Sequence, residues 1–391
     1  MLGLRQAYAR WVQRLRRTTV STAFIPEIDA LRFLAIGSVV AFHVVEHARS
    51  IANDDWARAG IGAAIASLAR QGRYGVELFF VISGFVLALP FAAHALRGAA
   101  PIKLRDYYLR RLTRLEPPYL ISLLGLSIAL LVSGAAWSRE VCPHLVASAI
   151  YQHNLIYGAK STINGVAWSL EIEVQFYVLM PLLAQAFRIR RAGLRRSILA
   201  AAMMAMPFVQ QWLPLASRES GSLVHFLQFF LAGLLLADLH TTEGGMPQRG
   251  SLRWDAVFLA TLPLLLLTLR LWTITDLFFP WLLLLLCGSF FRSRFSRAVL
   301  NLSAPVTIGG MCYSMYLLHW PVMAAIGAAC RSLRQPPGGV VQCLLMLPAI
   351  LVATVAFFLL IEKPCMDRRW PRRLWTKLVP ARMPAADPTP D

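Results

Sequence analysis

The chain has 391 residues, 57% of them hydrophobic and only 15% charged, with a formal net charge of +19. A soluble domain is nearer half apolar and about a quarter charged, so the composition excludes an ordinary soluble fold. The basic residues stand in short clusters between apolar runs, and no zinc-finger, RRM or helix-turn-helix pattern is present, which excludes a nucleic-acid-binding module.

The first residues lack the apolar core of a cleavable signal peptide. Leu4, Tyr8, Trp11, Val12 and Leu15 fall at helical spacing among Arg5, Arg10, Arg14, Arg16 and Arg17. That pattern predicts a basic amphipathic helix on an anionic membrane surface within a cytoplasmic segment 1–25, with a disordered tail as the alternative. Membrane helices of about 20 mostly apolar residues are predicted near 30–48, 75–96, 115–133, 168–187, 197–214, 222–240, 255–272, 276–291, 305–329 and 340–361. The fold class is therefore all-α and polytopic, with a membrane domain over 26–365 and a basic, then disordered tail over 366–391. The stretch 144–158 is also apolar, but it is short and interrupted by Gln152, His153 and Asn154.

The basic residues set the topology. With ten spans and both termini inside, the inner segments hold 28 Lys and Arg and the outer ones 9, as the positive-inside rule requires. Were 144–158 to cross, Arg188, Arg190, Arg191, Arg195 and Arg196 would move outside and the bias would collapse. It is predicted to be re-entrant or interfacial, a conformation tolerated where the backbone is buried in protein or lines a wet cavity.

An ionisable side chain at mid-bilayer costs about 2.5–3.5 kcal/mol on insertion scales. The first span nevertheless contains Arg32, His43, Glu46 and His47; the second opens with Glu77; the fourth holds Glu171 and Glu173; the ninth holds His319. Salt bridges absorb some of these, but two separate histidines suit a cavity that performs acid–base chemistry. Arg32 and His43 lie eleven residues apart, on one helix face and separated by a rise of about 16 Å. A cation at the rim with a histidine deep in the span suits an extended ligand with an anionic head. A snorkelling arginine with a hydrogen-bonded core histidine is the bland alternative. His43, Glu46 and His47 also spell the zinc pattern HxxEH, but a hydrophobic span with no protease domain argues against a metal.

Lys103, Arg105, Arg110, Arg111 and Arg114 run between the second and third spans, ahead of Pro117 and Pro118. Arg111 and Arg114, one turn apart, could fork around phosphates or simply anchor the loop. Cys142, Cys287, Cys312, Cys330, Cys343 and Cys365 include no CxxC, so neither a disulfide framework nor a zinc site is indicated. Cys142, Cys330 and Cys343 fall near the outer side, which leaves one external disulfide open.

Six segments in order resemble the acyltransferase-3 family of membrane O-acyltransferases: IDALRFLAIGSVVAFHV at 28–44, GVELFFVISGFVL at 75–87, RRLTRLEPPY at 110–119, WSLEIEVQFYVLMP at 168–181, YSMYLLHWP at 313–321 and IEKP at 361–364. The resemblance implies a ten-helix fold in the inner (plasma) membrane that moves an acyl group, acetyl above all, from cytoplasmic acyl-CoA to a hydroxyl of a sugar or glycoconjugate. His43 is similar to the proposed family base, with Glu173 or Glu77 expected to orient it. Arg32, Arg110, Arg111 and Arg114 are expected at the donor, and His319, Trp168, Tyr177 and Tyr313 at the acceptor. Glu171 has no settled role. No permanent cofactor and no nucleic acid are expected. No added hydrolase-like domain is visible, so the membrane domain is expected to perform the whole transfer, directly and without an acyl-enzyme. A macrolide-like acceptor stays open, as does a transporter or polysaccharide-export protein, although the inverted repeats common in transporters are not seen.

Overall fold

Pro26 opens the first long helix, where its missing N–H costs nothing and its fixed φ suits a helix start. Glu27 and Asp29 follow in the first turn, at the positive end of the helix dipole. The computed structural model describes residues 13–17, 24–52, 54–58, 60–212, 221–244, 250–268, 275–367 and 370. Its helices are α1 (Pro26–Ile51), α2 (Gly60–Gln71), α3 (Gly75–Arg97), α4 (Leu104–Val132), α5 (Cys142–Ala149), α6 (His153–Tyr157), α7 (Trp168–Leu183) and α8 (Ala192–Trp212). They continue as α9 (Leu223–Thr242), α10 (Leu252–Thr268), α11 (Thr275–Phe290), α12 (Arg294–Leu300), α13 (Ser303–Gly310), α14 (Cys312–Ser332) and α15 (Gly339–Phe357). No strand occurs among the described residues.

Among the described residues, seven helices are long and apolar enough to cross a membrane, or eight if α11 and α12, bent by 81° at their junction, count as one broken span. The protein is a multi-pass membrane protein. The stretch 144–158 forms no crossing helix. It breaks into α5 and α6 around Tyr151, whose φ is 57°.

Two boundaries differ from the sequence reading. The basic run before Pro117 is not a loop: α4 begins at Leu104, so Arg110, Arg111 and Arg114 are helical. Pro117 removes a backbone donor and frees the Thr113 carbonyl, which accepts from the Trp370 indole at 3.1 Å. The predicted span 305–329 is broken at Met311, between α13 and α14. There α13 crosses α1 so closely that a Cβ on Gly309 would stand 1.7 Å from the Asp29 carbonyl oxygen. The amphipathic reading of Leu4, Tyr8, Trp11 and Val12 lies outside the described residues. Leu15 packs on Met311, Phe358 and Met366.

The polar segments gather at the two ends of the bundle. At one end Arg97 donates to the Thr241 carbonyl at 2.5 Å, Arg195 and Arg196 clasp Asp238, Arg292 meets Glu243, and Arg17 meets Asp29. At the other end Asp54 accepts from the Gly339 amide at 3.1 Å. Gly221 packs on Asn154. All six cysteines are free thiols.

Candidate active site

α14 lies against α1 and brings His319, fully buried, to half-buried His43. His43 Nδ1 and His319 Nε2 are 2.9 Å apart, with the rings nearly coplanar at 6°. His319 Nδ1 faces the carbonyl oxygens of Met315 at 3.0 Å and Tyr316 at 2.8 Å. Carbonyls only accept, so Nδ1 carries the hydrogen and Nε2 of the neutral ring must accept. His43 then donates from Nδ1 and keeps its lone pair on Nε2. The Trp320 ring stands edge-on to His43 at 5.5 Å.

This wiring corrects the expected role of the glutamates. The nitrogen of His43 that needed an orienting partner is bonded to His319, and neither Glu173 nor Glu77 supplies that contact. Glu173 accepts from Ser83 Oγ at 2.6 Å and pairs with the buried Tyr177 hydroxyl. Glu77 is buried at the first turn of α3. Glu171 accepts from the Asn154 amide at 2.9 Å and from His153, which caps short α6 and pins the 144–158 segment to α7. Glu46, within the HxxEH pattern, pairs with Arg49 at 2.7 Å.

The arginines form a second cluster at the end of the bundle where α1 begins. Asp29, only 1% exposed, receives Arg32 at 2.9 Å and Arg17 at 2.8 Å. Arg114 lies within electrostatic reach of Arg17 and of Glu362. Its buried Nε has no hydrogen-bond partner, an arrangement that costs energy unless a ligand satisfies it. Arg111 stacks over the Tyr107 ring at 4.3 Å, and Tyr107 donates to the Tyr177 carbonyl at 3.2 Å. Arg110 precedes it on another face of α4. Glu362, from the IEKP element, accepts from the amide and hydroxyl of Ser314 at 3.0 and 2.5 Å. It thereby caps the start of α14, the helix that carries His319.

The remaining residues expected at the acceptor stand as follows. Tyr313 donates to the Leu115 carbonyl at 2.9 Å. The Trp168 ring packs on Phe226, with the Lys160 ammonium 5.8 Å from its centre. Sequence reasoning missed Lys160, which lies within electrostatic reach of His43. It also missed Asn164, whose amide donates at 3.2 Å to the Leu317 carbonyl, the one Pro321 leaves without its helical donor. Of the missed groups only Asp29 had a legible signal, its (i, i+3) spacing to Arg32.

The structure is thus a multi-pass helical bundle in which His43 meets the buried His319 and an arginine cluster stands at one end. The family model for the acyltransferase domain (acyltransferase-3) matches residues 25–363, and the chain belongs to this family. It is 27% identical over 181 residues to peptidoglycan O-acetyltransferase OatA of Listeria monocytogenes, a stretch covering 42% of this chain and 25% of that protein. It is 28% identical over 170 residues to a provisionally named O-acetyltransferase of Staphylococcus aureus strain COL, covering 41% and 24%. With a provisionally named peptidoglycan O-acetyltransferase of Bacillus subtilis strain 168 it shares 27% over 170 residues, covering 41% and 23%. The chain thus spans about a quarter of the length of the curated relatives it matches. No solved structure matches it.

Proposed function

We propose that this protein is a membrane O-acyltransferase that moves an acyl group, acetyl in the simplest case, from acyl-CoA to a hydroxyl of a carbohydrate acceptor. The observation that carries the reading is the direction of the His43–His319 hydrogen bond, which leaves the His43 Nε2 lone pair free to act as a base. The acceptor oxygen attacks the thioester carbonyl as its proton passes to His43 Nε2. The C–S bond then breaks and the departing thiolate takes the proton back from the imidazolium. Positioning both reactants in one cavity accounts for much of the acceleration. The carbohydrate class is supported by the named peptidoglycan activity of the Listeria relative, and the donor by the arginine cluster whose Arg32 stands eleven residues before His43 on α1.

The topology we propose has ten crossings, both termini in the cytoplasm, and the arginine cluster facing the cytoplasm of an inner-membrane protein. It is supported by the 28-to-9 basic asymmetry and by the contacts that gather the more basic segments at one end. His43→Gln tests the function. Removal of a general base costs about 10²–10⁴ in rate. The variant should insert and melt as the parent does, bind acetyl-CoA, and lose transfer by that factor. Turnover within about twofold of the parent would sink the assignment.

A further inference from the structure

The segment 13–17 is held against the late part of the chain. Leu15 packs with Met311, Phe358 and Met366, Lys363 donates to the Arg14 carbonyl, and the Arg17 stem runs past Gly310. These contacts deliver the Arg17 guanidinium to Asp29, which also holds Arg32. Asp29 is shared asymmetrically: Arg17 uses Nε on one oxygen, and Arg32 uses Nη1 on the other. A carboxylate between two guanidiniums fixes both forks while leaving further N–H donors on each.

The charge count points beyond structural pinning. Among the described residues, Arg17, Arg32, Arg110, Arg111 and Arg114 lie in shared electrostatic reach and face Asp29, Glu173 and Glu362. Five cations against these three anions leave a positive excess. Arg17 is 12% exposed and Arg32 14%, and burying unmatched charge is expensive. Arg114 adds a buried donor without a partner. A bound anion would discharge the excess and satisfy that donor, and planar guanidinium forks suit phosphate oxygens.

We propose that Arg17 is a binding residue for the anionic head of the acyl donor, and that with Arg32 and Arg114 it forms a three-arginine phosphate site built by the segment before α1, by α1 and by α4, with the segment after α15 holding Arg17 in place. This rests on the acyl-CoA reading above and extends it to a part of the chain otherwise explained as a membrane-surface anchor.

The test is titration of acetyl-CoA against the purified full-length protein in detergent, comparing the parent with Arg17→Ala, Arg17→Lys and Arg114→Ala. Loss of one charge-assisted phosphate contact should weaken binding roughly 10-fold or more. Arg17→Ala should show this loss, and Arg17→Lys, which keeps the charge without the fork, should recover part of it. If Arg17→Ala binds acetyl-CoA as the parent does while Arg114→Ala does not, Arg17 only pins its segment and the proposal falls with the donor site intact. If neither arginine affects binding, the donor reading falls and takes this proposal with it. Should Arg17→Ala fail to fold, Arg17→Gln keeps the stem packed at Gly310 and reads the same titration.

Discussion

At His319, two carbonyls of its own helix decide the tautomer, and that choice propagates to His43. A neutral histidine that donates from one nitrogen must accept at the other, so Met315 and Tyr316 determine which nitrogen of His43 is basic. His319 is in this sense a positioning residue, whereas the sequence reading placed it at the acceptor. His319→Ala should lower kcat about 10- to 100-fold, the scale seen when a residue orienting a functional histidine is lost, with donor affinity unchanged. Steady-state kinetics beside His43→Gln separates the two, since loss of the orienter should cost less than loss of the base. A change in donor affinity with kcat intact would instead return His319 to a binding role.

Between elements, the crossing of α3 and α9 is set by two glycines that leave the backbones almost in contact. A Cβ on Gly84 would stand 2.3 Å from the Phe230 carbonyl oxygen, and one on Gly233 equally close to that of Val81. Backbone cannot yield as a side chain can, so adding a methyl group there overpacks the interface by about 1–3 kcal/mol. Gly84→Ala should therefore lower the melting temperature in detergent. Gly37→Ala, within α1 and facing open space, should leave it unchanged or raise it, because alanine is about 0.5–1 kcal/mol better than glycine inside a helix. Equal effects at the two positions would refute this account of the crossing. The proline-freed carbonyls follow a related logic. Leu317 and Thr113 lose their helical donors to Pro321 and Pro117 and find them in Asn164 and Trp370. Each kink thus ties a distant segment beside the site.

Across the whole molecule, the segments rich in arginine meet at one end. For the proposed topology, single reporter cysteines in a chain stripped of its six natural ones should give a clear pattern. Reporters at Gly98 and Arg190 should react only after the membrane is breached, and one at Gly134 should react from outside in intact cells. All three positions are exposed on the protein. External labelling at Arg190 would mean that 144–158 crosses after all and would overturn the map.

Composition and apolar run length were enough to specify an all-helical membrane protein, because a bilayer leaves the backbone little choice. Intramembrane charges were legible for the same reason: Arg32, His43, Glu173 and His319 stand out wherever burial of charge is costly. The stretch at 144–158 was readable as too short and too interrupted for one continuous long helix, and it forms the two short helices α5 and α6. Spacing along one helix cannot say what lies across from it. Only the tertiary structure paired His43 with His319, 276 residues later, and turned Glu173 away to Ser83. Only it showed α4 running unbroken through two prolines, because Trp370 supplies a donor that local sequence lacks. It likewise placed Arg17 on Asp29, since Leu15 and Lys363 find partners far along the chain.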